Sequence, residues 1–344
     1  MINAVRMPVA MPDGKIRPSA AMQGERLPFY LAAEEWLARK CRGDYFMMWS
    51  VKPTVIFGRN QDPTAELDID YCRSHGIEFY RRKSGGGCVY ADGNNLMFSY
   101  ITDCDDVVTT FSAFTGRVAA MLSCLGIADA SANGRNDILI AGRKVSGYAF
   151  YFLRLPDGRQ RAIVHGTMLY DADPETMTRI LTPSAAKLNA KGVKSVRSRI
   201  TTVREHLHIS LEDFRRKAIE AITDSKFDLS PSDIQTIRQM EAEYYRDEWT
   251  YGRRQRSGHQ RLEGVGTIGA DISLKDNKIT AIELSGDFFT LAPALRPLTD
   301  PLIGVEHTAE AISKALEGVD TSRYIANLTT DRFISLIARQ AATT

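Results

Sequence analysis

Between Leu27 and Asp44 the chain reads LPFYLAAEEWLARKCRGD, with Phe29, Ala33, Trp36, Leu37 and Lys40 at helical spacing. Pro28 stands near the start, where a missing N–H costs nothing. The pattern predicts a helix packed on a sheet. YFMMWS and PTVIFG then read as short strands, a helix follows from about Glu66 to near Gly76, and IEFYRR reads as the next strand. A run of three glycines follows that strand directly.

NLMFSYI is strand-like, and DVVTTFSAFTGRVAAMLSCLG is a long amphipathic helix with Gly126 placed as its cap. NDILIAGRKVSGYAFYFL predicts a hairpin turning at Ala141 to Arg143, and AIVHGTMLY predicts another strand. Strands and helices mix without regular βαβ alternation, so the expected class is α+β with a largely antiparallel or mixed sheet.

Ser210 with Asp213, and Ser230 with Asp233, match a capping box in its acidic form, and Pro231 takes the first helical position of the second. These helices are expected to end near Glu243. RDEWTYGRRQRSGHQR, Arg246 to Arg261, is polar, basic and poor in aliphatics, which predicts a boundary. The expected organisation is a domain over 1–247, a linker over 248–262 and a small α+β domain over 263–344. In the last, two alternating strands flank a polar turn at Lys275 to Lys278, and helical segments start from Glu306 and Thr330.

A length of 344 residues with 44% hydrophobic content supports a substantial core in more than one domain. The net charge of +2 marks no general polyanion binder, and no interleaved aromatic platform points to nucleic acid. Five cysteines, an odd number without a CxxC pair, suit neither a disulfide framework nor a zinc site. Neither a signal peptide nor a membrane span is legible, and the expected compartment is the cytoplasm.

Gly264-Val-Gly266-Thr-Ile-Gly269 matches a dinucleotide fingerprint in letters. That fingerprint must open a helix, whereas ADISL after it alternates like a strand. Arg81-Arg82-Lys83-Ser84-Gly85-Gly86-Gly87 lacks the Walker spacing. It offers a loop whose N–H groups could cradle an anion beside guanidinium groups, or alternatively a tight charged turn. In Asn136-Asp137-Ile-Leu-Ile-Ala-Gly142-Arg143-Lys144-Val-Ser146-Gly147, Lys144 follows the turn, where an ammonium can meet a phosphate or carboxylate; a solvated hairpin lysine is the plainer reading. His165 alone reads as a hydrogen-bonded core histidine. Lys191 to Arg204 carries five bases and no acid, enough to steer an acidic partner.

Taken together, RRKSGGGCVY, NLMFS, NDILIAGRKVSG, HGTMLYDAD and KGVKSVRSRIT closely resemble, in order and spacing, the lipoate–protein ligases. The resemblance runs from about Pro28 to Arg204, and DEWTYG with the later SGDFF resembles that family's C-terminal accessory domain. It implies a catalytic domain related to biotin ligases and class II tRNA synthetases. It further implies ATP and Mg2+, lipoate as substrate, a lipoyl-adenylate, and transfer to an acceptor lysine. The acceptors implied are lipoyl domains of 2-oxoacid dehydrogenase complexes, or the glycine-cleavage H protein or an H-like protein.

By position, the resemblance gives Arg82, Gly87, Cys88, Val89, Tyr90 and Lys144 to the nucleotide. It gives Gly85, Gly86, Asn95, Asp137, Lys144, Ser146 and His165 to lipoate or lipoyl-adenylate, with Lys144 as the catalytic cation. The family commonly continues the glycine loop as Val-Tyr-His-Asp-Leu-Gly-Asn, whereas this chain has Ala91 for the histidine, and Met97 where many members have asparagine. An acyltransferase of the same fold would place a cysteine shortly before NDILIAGRKVSG, and ASANGRND has none. A non-catalytic lipoate or lipoyl-domain binder is the other reading. Retention of Arg82, Lys144 and the glycines speaks against it.

Overall fold

The computed structural model describes residues 1–10, 15–133, 136–172, 174–180, 198–252, 259–292 and 294–340. The chain divides into two compact units. The first contains Met1–Ile56, Asp68–Tyr80 and Val89–Arg246, and the second Phe57–Leu67, Arg81–Cys88 and Asp247–Thr344.

The strands of the first part are β1 (Ile2–Ala10), β2 (Ile16–Ser19), β3 (Ala21–Met22), β4 (Asp44–Trp49), β5 (Thr54–Phe57), β6 (Glu78–Arg81), β7 (Val89–Ala91), β8 (Asn95–Asp103), β9 (Ala130–Ala132), β10 (Asp137–Ile140), β11 (Arg143–Arg154), β12 (Gln160–Leu169) and β13 (Ser225–Asp228). The large sheet runs β13-β1-β4-β8-β12-β11-β10-β9, with β2 on β1 and β3 on β4. β1 lies parallel to β4 and β13, and the ladder from β4 through β8, β12, β11 and β10 to β9 is antiparallel. The sheet is therefore mixed, in an α+β fold. β1 was not anticipated: its antiparallel partner β2 is local, with Met7 facing Ser19, but its parallel partners in the large sheet are remote, Asn3 pairing with Ser225.

Helix α1 (Leu27–Lys40) has Pro in its first turn and covers one face of this sheet; its buried positions include Glu34 and Glu35. Helix α2 (Val107–Cys124) covers the other. Its Phe114 packs on Phe46, Tyr100 and Tyr148, and its Phe111 on Phe150. By length and composition α2 could cross a membrane, yet this apolar side is committed to the sheet. Asp106 caps its start, and it ends in a Schellman motif, with Ile127 N–H on Leu122 O, Gly126 N–H on Ser123 O, and φ 107° at Gly126.

Helices α3 (Leu211–Ile222) and α4 (Pro231–Glu241) begin at Ser210 and Ser230 as their capping boxes foretold, and a 3-10 turn carries α4 on to Tyr245. The helix expected from Glu66 to Gly76 is two short ones, Pro63–Glu66 and Ile69–Ser74. Asp68 restarts the second by accepting from Tyr71 N–H, which breaks the run at Leu67.

In the second unit, β14 (Gln260–Leu262), β15 (Gly266–Lys275) and β16 (Lys278–Gly286) form an antiparallel sheet. Asp276 and Asn277, both at positive φ, make its two-residue turn. Helices α5 (Ala309–Ala315) and α6 (Thr330–Arg339) close a core of Ile268, Ala270, Ile272, Phe333 and Leu336. The helix expected from Glu306 starts at Ala309, because Glu306 bridges Lys278 and Thr308 is the cap. Gly269 lies inside β15, so the fingerprint-like glycines open no helix.

Candidate active site

The hairpin β10–β11 turns through Ala141 and Gly142, both at positive φ, the geometry of a two-residue turn. Its register contains a shift: Leu139 faces Lys144, but Ile138 faces Ser146 and Asp137 faces Gly147. One extra residue on β11 moves Lys144 across the pleat. Lys144 therefore shares a face with Gly147 and Asp137, and its Nζ lies 2.6 Å from Asp137 Oδ1. The lysine backbone is held on the other side by Arg199 O and Thr201 N–H. Residues 191–197 of the basic segment lie outside the described residues.

Along the same face the ladder carries Thr167 opposite Gly147, Met97 opposite Thr167, and His165 opposite both Ala149 and Ser99. His165 Nδ1 lies 3.0 Å from Glu34 Oε2; Ser99 donates to Glu34 Oε1 at 2.5 Å, and Trp49 Nε1 donates to Ser99 at 2.8 Å. Glu34 is fully buried, so this carboxylate is held by its neighbours alone. Lys144 and His165 are separated by four to five residues of strand rise, roughly 15 Å. One sheet face thus holds an ammonium–carboxylate pair at one end and a buried polar cluster at the other.

Asn95, at the start of β8, is fully buried, and neither atom of its side-chain amide has a hydrogen-bond partner among the described residues. Buried without a partner, such an amide carries a desolvation cost that water or a bound group can offset. Ser146 points the other way, and its hydroxyl donates to Thr167 O at 2.5 Å. Tyr90 and Val89 lie in β7 against Val55 and Ile56 of β5, with Tyr90 buried; Ala91 is buried opposite Thr54.

Arg82, Gly85, Gly86, Gly87 and Cys88 belong to the second unit. Arg82 is buried and donates to Ser84 Oγ and to the carbonyls of Gly85 and Gly87, bracing the loop from within. Burial lowers its guanidinium pKa to about 10, which still leaves it charged at neutral pH. Two of the three glycines are required by packing. A Cβ on Gly85 would lie 2.4 Å from Phe288 O, while Gly86 has φ 88° and donates its N–H to Phe288 O at 3.2 Å. Gly87 differs: its φ is unexceptional and a Cβ there would come no closer than 3.9 Å to Asp287. Nothing among the described residues demands that glycine. Cys88 Sγ contacts Gln61 Oε1 at 3.3 Å.

Arg81 is the member of the basic run whose role sequence alone gave no hint of. It is buried, and its guanidinium donates to the carbonyls of Gly58, Arg59, Gln61, Trp249 and Thr250. Glu34 was also missed, although a Glu-Glu pair inside an apolar helix was its available signal.

The chain belongs to the lipoate–protein ligase family: the model of the lipoyl protein ligase A/B catalytic domain matches residues 27–223, and that of the bacterial lipoate protein ligase C-terminus matches residues 255–337. It is 33% identical over 322 residues to lipoate-protein ligase LplJ of Bacillus subtilis strain 168, covering 89% of this chain and 95% of that one. It is 31% identical over 320 residues to lipoate–protein ligase 1 of Staphylococcus aureus strain Mu50, covering 90% and 95%. Among solved structures, the bi-partite lipoate protein ligase of Thermoplasma acidophilum, described with its E2 lipoyl domain, aligns at TM-score 0.61 and 25% identity over 69% of this chain and 96% of that one. The LipL1 of P. falciparum, solved in complex with lipoate, aligns at TM-score 0.71 and 17% identity over 92% and 97%, a likeness of fold.

Proposed function

We propose that this protein activates lipoate with ATP as lipoyl-adenylate and transfers the lipoyl group to a lysine of an acceptor protein. The observation that carries the reading is the sheet face running from the Lys144–Asp137 pair to the Glu34–His165 cluster. It suits a thin acid whose carboxylate meets Lys144 and whose far end lies by His165. In the first step a carboxylate oxygen attacks the α-phosphorus of ATP and pyrophosphate leaves. Two anions must meet, and the fixed ammonium of Lys144 offsets their repulsion.

Arg82 and the backbone of Gly87, Cys88, Val89 and Tyr90 are the proposed nucleotide contacts. The room left at Gly87 supports close approach of a phosphate to that backbone. No cluster of three His, Cys, Asp or Glu side chains suited to a metal occurs among the described residues. A Mg2+ would then be held mainly by the triphosphate, where it would neutralise charge on the leaving pyrophosphate.

In the second step the acceptor lysine amine attacks the acyl carbonyl, loses its proton and expels AMP, with no nucleophile required from the enzyme. The proposed acceptors are lipoyl domains of 2-oxoacid dehydrogenase complexes and H-like proteins.

The deciding experiment measures pyrophosphate release with ATP, magnesium and lipoate but no acceptor, followed by mass spectrometry for bound lipoyl-adenylate. Release with bound adenylate is expected. A folded protein that binds lipoate yet releases no pyrophosphate would overturn the reading in favour of a transferase or a binder.

A further inference from the structure

We propose that Gly147 is a positioning residue for Lys144, its missing side chain being the seat in which the lysine ammonium rests. The proposal rests on the role given to Lys144 above and deepens it. A Cβ built on Gly147 would lie 2.7 Å from Lys144 Nζ, 2.8 Å from its Cε and 3.5 Å from Asp137 Oδ1. None of these distances to the lysine is tolerable, and no other contact is violated.

The local geometry explains why glycine is there. The φ of Gly147 is not in the left-handed region, so its backbone needs no glycine. Gly147 faces Asp137 across the ladder, and the register shift between Ile138 and Leu139 turns Lys144 onto their shared face. The lysine stem then folds back over residue 147, and its ammonium reaches the carboxylate at 2.6 Å. With any side chain at 147 the ammonium would be driven outward. The displaced atoms are the far end of a flexible chain, already 40% exposed as a whole, so the strands themselves need not move. The motif Lys-Val-Ser-Gly is thus one device: the bulge aims the lysine, Asp137 holds it, and Gly147 makes the room.

The test is Gly147→Ala in the full chain, with three readouts. Pyrophosphate release should fall tenfold or more while lipoate binding is retained, since an ångström of misplacement at a charge-stabilising group costs rate before affinity. Acetic anhydride labelling of Lys144, read by mass spectrometry, should become faster as the ammonium leaves its seat. The melting temperature should drop slightly, and that drop should vanish when Gly147→Ala is made in a Lys144→Ala background, because the colliding atoms are then gone.

Wild-type release together with wild-type labelling in Gly147→Ala would overturn the seat. So would a stability loss that persists undiminished in the Lys144→Ala background, which marks a structural glycine. Normal pyrophosphate release by Lys144→Ala alone would instead sink the catalytic reading of the lysine, leaving the labelling and melting cycle to judge the seat.

Discussion

The ring of Tyr148 lies across Gly166, its direct partner in the β11–β12 ladder, so closely that a Cβ on the glycine would sit 2.4 Å from Cδ1 of the ring. Here the crowded atoms are a buried aromatic wedged against Phe114. Gly166→Ala should therefore force the ring out of place at a cost of about 1–3 kcal/mol, the usual penalty of overpacking. A urea melt matching wild type would contradict this packing.

Lys144→Ala should fold normally, since the side chain is half exposed and its loss uncovers only a partly exposed carboxylate. Pyrophosphate release should fall by a factor of about 10^2 or more, as for removal of other fixed groups that stabilise developing charge. Steady-state release with lipoate in excess is the measurement.

Glu34→Ala removes the acceptor shared by His165 and Ser99 and leaves both buried donors without it. Losses of about 2–4 kcal/mol in unfolding free energy are expected. Glu34→Gln keeps an acceptor in place and should cost less. Equal destabilisation of the two variants would place the effect in packing rather than in the hydrogen bonds.

Arg81→Lys retains the charge but offers a compact ammonium with three donors where the guanidinium serves five carbonyls. It should destabilise by about 3 kcal/mol, as buried carbonyls lose their partners. Hydrogen exchange at residues 82–88 should accelerate with it.

Asp106 offers a test against pH. The hydroxyl and backbone N–H of Thr109 hold its carboxyl below the ordinary aspartate range. A folded pKa below the unfolded value means that the cap contributes above the unfolded value and is lost as pH falls through the lower folded one. The gap in melting temperature between wild type and Asp106→Ala should be full above the ordinary aspartate range and close as pH falls below it.

Local signals made α2 and the hairpin legible: a capping aspartate, a glycine after the last turn, and two turn residues between alternating runs are all contiguous in sequence. The ordered motifs likewise single out Lys144, Asp137 and His165, which the fold sets along one sheet face. The face on which Lys144 lies was not legible, since a single unpaired residue reverses every side chain beyond it and leaves no trace in composition. The glycine run was half read. Gly87 is left open, as a loop that cradles an anion requires, whereas Gly85 and Gly86 answer to Phe288, about two hundred residues away. Distances of that kind also hid β13, whose partner β1 lies 222 residues back.

The carbonyls gathered by Arg81 have a consequence in time. Trp249 follows it by 168 residues, so at ordinary translation speeds of about 5–20 residues per second the guanidinium waits roughly 10–30 s for its last partners to be made. During that interval the strands around Lys144 have all been synthesised, but the glycine loop lacks the clasp that ends at Thr250. The glycine loop is thus completed late in manufacture, and a nascent chain stalled before residue 249 carries the sheet face of Lys144 without the finished clasp around that loop.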